Sequence, residues 1–303
     1  MPVQSTGVQG AFILEIMFAT FGHTFELMKM SWRVFNMDRE LVFFPIMGII
    51  GLVGVMALFG LIAQTTGSLD RLNEMNSAAV AGVQTGPVAG DYVLLLLGYI
   101  SAYFVIIFFN AALVSAALER LRGGDPNVGS GLSHAAKHIG PIFGWAVISG
   151  TVGLVLMLLK SRQNGMGRFV ISIIGGIWEL ITFFVVPIIV TEGVGPFTAI
   201  KRSKGLLGKT WGRQFTASFG FMLVYIIGAV IGVIPAFIAY QISPIVGIGV
   251  GFVTVGFAIG AVMALEGIFK AALYEYARGE VPLGFKKEVL ASAYRPDIRE
   301  YQA

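Results

Sequence analysis

The sequence has no cysteine, three histidines and only 13% charged residues among 303. Without cysteine there is no disulfide, no thiolate metal site, no iron–sulfur ligation and no thiol nucleophile. No HExxH, GxSxG or dinucleotide-binding pattern occurs. The opening MPVQSTGVQG lacks a positively charged region, so no cleavable signal is expected. Sparse charge together with 56% hydrophobic residues and a mean hydropathy of +0.80 describes an all-helical membrane domain with little soluble mass. The stretches outside the apolar runs are too short for a separate globular core.

What is present is six long apolar runs: Leu41–Ala63, Tyr92–Leu118, Ile139–Leu159, Phe169–Thr191, Phe215–Tyr240 and Ile245–Lys270. Each reaches the roughly 20 residues that cross ~30 Å of hydrocarbon at ~1.5 Å per residue. The expected fold is all-α, a polytopic membrane protein of six transmembrane helices arranged as three hairpin units with short amphipathic cytoplasmic segments. Residues 1–40 form an amphipathic, interfacial N-terminal segment, 41–277 the six-helix domain and 278–303 a cytoplasmic tail. Within the first segment Ala11–Phe25 is short for a span and reads as interfacial or re-entrant. The following Ser31–Glu40 places Trp32 and Phe35 in the membrane and Lys29, Arg33 and Arg39 against phosphates.

With six spans, seventeen of the 21 Lys and Arg fall on one side. The positive-inside rule makes that side, and both termini, cytoplasmic. The net charge of +4 is distributed in short segments beside spans, without one basic stripe interleaved with aromatics. It sets topology and contacts anionic lipid on the cytoplasmic face, and it does not point to nucleic acid.

Glu179 is the most informative single residue. It follows Arg168 by eleven positions and so lies roughly 16 Å deep, where an acid costs about 2.5 kcal/mol or more. It should face the bundle interior, be protonated, or meet a partner such as Tyr103, Asn110, Ser149, Thr151 or Tyr225. A proton or cation site, a structural hydrogen bond and an oligomer contact are all open. Glu266 and Lys270 form an i,i+4 pair near the cytoplasmic end of the sixth span, and Asn110 and Glu192 lie near the same face. Gly228 with Gly232, and Gly256 with Gly260, have the spacing that lets helices touch backbone to backbone, as do Gly48, Gly51 and Gly54. Pro187 and Pro235 mark kinks. His134 and His138 have ligand spacing but no third ligand nearby, and Gly208-Lys209-Thr210 is a false echo of a phosphate loop because no strand precedes it. No cofactor or metal is expected.

Short echoes connect the three hairpins. Pro45-Ile46-Met47-Gly48 is similar to Pro141-Ile142-Phe143-Gly144, and the run from Ala117 to Asp125 is similar to that from Ala272 to Glu280. They suggest hairpins repeated in one orientation. Other motifs resemble an uncharacterised family of six-span prokaryotic membrane proteins. They are Ser31-Trp32-Arg33-Val34-Phe35 with Asp38-Arg39-Glu40-Leu41 and Phe44-Pro45, then Val186-Pro187 through Glu192, Gly195-Pro196, Ala199-Ile200-Lys201-Arg202-Ser203, Thr210-Trp211-Gly212 and Ala272-Leu273-Tyr274. The resemblance implies a fold and a plasma (inner) membrane location, and no activity. The Ala199–Ser203 pattern has a looser likeness to membrane domains attached to glycerophosphodiester phosphodiesterases, whose chemistry does not transfer because these residues include no hydrolase.

Three functions compete. The first is a non-enzymatic scaffold or accessory subunit of a larger membrane assembly, with a protein partner or a homo-oligomer as its contact. The second is a small transporter or channel using Glu179, against which stands the single midplane acid. The third is a lipid-handling membrane enzyme, for which only the histidine pair and scattered carboxylates are available.

Overall fold

The computed structural model describes residues 29–80, 88–210, 217–287 and 290; the expected interfacial helix over Ala11–Phe25 lies outside them. Among the described residues there is no strand. A 3-10 turn at Arg39–Val42 leads into α1 (Phe43–Thr65), followed by α2 (Ser68–Val80), α3 (Ala89–Leu121), α4 (Val128–Lys137), α5 (Ile139–Ser161), α6 (Met166–Thr182), α7 (Val185–Glu192), α8 (Pro196–Thr210), α9 (Ala217–Tyr240) and α10 (Pro244–Ala277). Five helical segments are long and apolar enough to cross a membrane: Arg39–Thr65, Ala89–Leu121, Ile139–Ser161, Met166–Glu192 and Pro244–Ala277. Val224–Tyr240, within α9, is a shorter apolar stretch. The chain is thus built as a multi-pass helical membrane protein.

The helix ends follow local chemistry. Pro244 occupies the first turn of α10, where its missing N–H is not needed. Asn127 and Ser130 cap α4 reciprocally: the Ser130 N–H donates to Asn127 Oδ1 at 2.8 Å and the Asn127 N–H to Ser130 Oγ at 3.1 Å. α3, α7 and α10 stop at Gly123, Gly193 and Gly279, with φ of +87°, +64° and +94°, the left-handed conformation that glycine adopts without a Cβ penalty. The fourth apolar run breaks at Phe183–Phe184. Pro187, lacking an N–H, cannot bond back to the Phe183 carbonyl, and the Phe184 N–H donates instead to Ser203 Oγ of α8 at 3.1 Å.

α3 has 33 residues and α10 has 34, about 50 Å each against ~30 Å of hydrocarbon. Their surplus lies at the end where most Lys and Arg collect, here called the basic end. Counting about 20 residues from the opposite end reaches Pro45 on α1, Ala111 on α3 and Ala264 on α10. These levels agree in space: Gly260 lies against Pro45 and Ile46, and Gly267 against Leu113. The buried core starts there, with Ala111–Leu118, Val185, Ile188–Val190, Ala264, Leu265 and Ile268–Tyr274. The opposite halves, such as Leu95–Leu97, Ile173 and Ile174, and Phe252 and Val253, stay exposed on the chain's own surface. Lipid supplies no hydrophobic drive between helices, whereas helix extensions that leave it must cover their apolar faces. The helical residues 29–37, α4, α8, residues 283–287 and Leu290 provide that cover. Phe35, Phe285 and Leu290 are core residues, and the Leu283 N–H donates to the Leu121 carbonyl at 2.9 Å. Phe35 is therefore turned into protein and not into the membrane as its sequence setting suggested, while Trp32 remains 49% exposed.

Candidate functional site

Glu179 lies in α6, a helix that buries none of its residues in the chain's own core. The residue is exposed, and among the described residues its carboxylate has no hydrogen-bond or ion-pair partner; only its backbone carbonyl is used, by Thr182 Oγ1 at 3.4 Å. The side chains proposed as partners are engaged elsewhere or face another way. Ser149 and Thr151 bond back to the carbonyls of Trp145 and Val147 at 2.8 and 2.7 Å. The Tyr103 ring lies against Gly150 and Gly153. Asn110 is half-buried in α3 and, among the described residues, makes no side-chain hydrogen bond. Of the three settings open to it, the carboxyl takes neither the bundle interior nor a partner among the described residues.

The second intramembrane group is assembled as its spacing indicates and gains a partner. Lys270 Nζ stands 2.7 Å from Glu266 Oε1, and the Tyr225 hydroxyl of α9 donates to Glu266 Oε2 at 2.6 Å. Lys270 also sits 5.6 Å from the centroid of the Phe183 ring at the α6–α7 break. Glu266 lies about two residues past the level of Ala264, so the triad belongs to the basic-end boundary.

A third polar layer was not legible in sequence. The ends of α3, α7 and α10 converge on an open cleft of about 700 Å³ lined by Arg122, Gly123, Thr191, Glu275, Arg278 and Leu283, among others. Arg122 Nη2 donates to the buried Glu275 carboxylate at 2.7 Å, joining α3 to α10. The fully buried Tyr274 hydroxyl lies 2.8 Å from Thr191 Oγ1 and donates to Glu192 Oε1 at 3.3 Å, and Glu192 is paired with Arg202 of α8. Arg278 sits 5.6 Å from the Tyr274 ring centroid. Nearby, Arg120 pairs with Asp38 and, at 2.5 Å, with Asp125. Glu192 thus joins a cluster, as its position in sequence suggested, but Asn110 does not. At the opposite end Arg71 of α2 holds Asp91 of α3 at 2.5 Å, and this hydrogen bond raises the Arg71 guanidinium above its ordinary range. The signal for the cleft was the pair of similar segments: in each, the third residue past the helix end donates to a carbonyl five residues back, Gly124 to Glu119 and Glu280 to Glu275, a shared Schellman cap.

The four glycines differ. A Cβ on Gly232 would stand 2.7 Å from Val255 Cα and one on Gly228 3.2 Å from a Val262 methyl, so α9 touches α10 closely there. At Gly260 the contacts with Ile46 and Pro45, at 3.5 and 3.6 Å, are ordinary. At Gly256 nothing among the described residues lies within 4 Å, so no described helix makes the close approach its spacing suggested. Gly247 against Tyr240 and Gly131 against Phe44 and the Ala112 carbonyl are tighter.

His134 and His138 stack at 5.4 Å. His134 Nε2 is 3.1 Å from the Val190 carbonyl and His138 Nδ1 2.9 Å from the His134 carbonyl, so the pair ties α4 to α7. Among the described residues no group of three metal-ligating side chains occurs.

A family model, Family of unknown function (DUF6159), matches residues 88–282. No curated protein and no solved structure matches the chain.

Proposed function

The chain belongs to DUF6159, a family of unknown function, and from that premise we propose that it is a non-enzymatic scaffold or accessory subunit of a larger membrane assembly. Six spans, α9 being the fifth in chain order, cross the plasma (inner) membrane of a prokaryote as three hairpins. The basic end and both termini face the cytoplasm, where the Lys and Arg residues contact anionic lipid.

One observation carries the reading. Glu179, mid-span, is exposed on the protein's own surface with no partner among the described residues, whereas Glu266, Glu275, Glu192 and Asp38 are each engaged by a basic side chain. A carboxyl left against lipid is costly; one covered by another protein surface is not. Transport has less support, since a carboxyl on the outer surface of α6 does not line a passage through this chain. Lipid chemistry at the histidine pair has less too, since carbonyl oxygens occupy a nitrogen of each ring. The test is isolation in mild detergent followed by native mass determination. A particle larger than the 32.5 kDa chain with a defined protein stoichiometry is expected; a single chain without any protein partner would overturn the reading.

A further inference from the structure

We infer that the Glu179 face of α6 is a homodimer interface, in which two parallel copies of α6 bring their Glu179 carboxyls together at one depth. The inference rests on the assembly reading above and names the partner.

At about 100° per residue, Ser172, Gly176 and Glu179 fall within a roughly 60° arc along one flank of α6. All three are exposed, and a Cβ on Gly176 would meet nothing within 4 Å among the described residues. Phe169 and Ile173, 61% and 47% exposed, border the same arc. Ser172 Oγ already donates to the Arg168 carbonyl at 2.9 Å, which leaves it compact and self-satisfied. Ser172 and Gly176 are thus small residues at the i,i+4 spacing that lets two helix backbones approach, and the carboxyl stands one turn beyond them.

The choice of a second copy follows from symmetry. A two-fold axis along the membrane normal keeps every residue at its own depth and makes the interface self-complementary. It sets Glu179 opposite Glu179, and two protonated carboxyls at that depth satisfy each other: the O–H of each donates to the carbonyl oxygen of its mate, and no charge faces lipid. A different protein would have to present a donor at this same midplane level.

The absence of native cysteine makes the test specific. The full chain carrying Ser172→Cys is oxidised in native membranes beside Ile174→Cys, which lies about 160° around the helix, and the mass of each adduct identifies the second chain. Expected is a disulfide-linked species of twice the 32.5 kDa chain mass from Ser172→Cys and little from Ile174→Cys. Adding Glu179→Leu should lower the Ser172→Cys yield about tenfold, while Glu179→Gln, whose amides also pair, should preserve most of it. Equal yields at the two positions, or a yield insensitive to Glu179→Leu, would overturn the interface. Adducts only with a different protein would overturn the self-pairing but leave the assembly reading in place, and a single-chain native particle with no adduct of either kind would overturn both.

Discussion

The Tyr225 hydroxyl donates to the Glu266 carboxylate over 2.6 Å, joining α9 to α10 at the level where the helices leave the hydrocarbon. Lys270 holds the other carboxylate oxygen, so the acid has a hydrogen-bond donor and a counter-charge. Tyr225→Phe should lower stability by about 1.5 kcal/mol, the loss of one hydrogen bond to a charged acceptor. Glu266→Gln should cost more because it leaves the Lys270 ammonium unpaired in a half-buried place. Thermal unfolding in detergent measures both, and equal losses would assign the linkage to packing alone.

Arg120 and Arg202 both hold acids at the basic end, in different surroundings. The Arg120 side chain is 15% exposed and its partner Asp38 8%, whereas Arg202 is 50% exposed. Arg120→Ala would strand a buried carboxylate and should cost about 3 kcal/mol; Arg202→Ala should cost under about 1 kcal/mol. Chemical denaturation of the two variants side by side should separate them by that margin.

Gly232→Ala should destabilise by about 1–3 kcal/mol because its Cβ would press on the Val255 backbone. Gly256→Ala meets open space and should be neutral or slightly stabilising through helix propensity. Gly67, with φ +68°, should lose roughly 1–2 kcal/mol on change to Ala for backbone reasons alone. The order of thermal stabilities checks all three.

The membrane class and most helix limits were legible in sequence because a bilayer imposes length and apolarity directly: the runs beginning at Ile139 and ending at Tyr240 coincide with helix ends. The face Glu179 occupies was signalled by the helical spacing of Arg168, Ser172, Gly176 and Glu179 along α6, but what covers that face was not. The Arg122–Glu275 and Tyr274–Thr191 links join residues far apart in the chain, so only the fold brings them together. Pro187 announced the break at Phe183–Phe184, but the answering hydroxyl of Ser203 could not be read from it. The helix at Ser68–Val80 is too polar to register as a span.

A reporter fused after Ala303 should remain cytoplasmic, since seventeen of 21 Lys and Arg fall on one side of a six-span count. An exported reporter would reverse the proposed orientation or change the number of spans.

If Glu179 is an assembly contact and not an ion site, vesicles reconstituted with the wild-type protein should show no proton or cation flux under an imposed gradient. Flux abolished by Glu179→Gln would restore the transport reading.

The most direct measurement is the native mass of the detergent-solubilised particle, wild type beside Glu179→Leu, with thermal stability recorded for each. The wild type should exceed one 32.5 kDa chain, and Glu179→Leu should fall to a single chain with its melting temperature unchanged, because the carboxyl contributes nothing inside the monomer. A wild-type particle of one chain, or a larger particle that survives Glu179→Leu, would contradict the account.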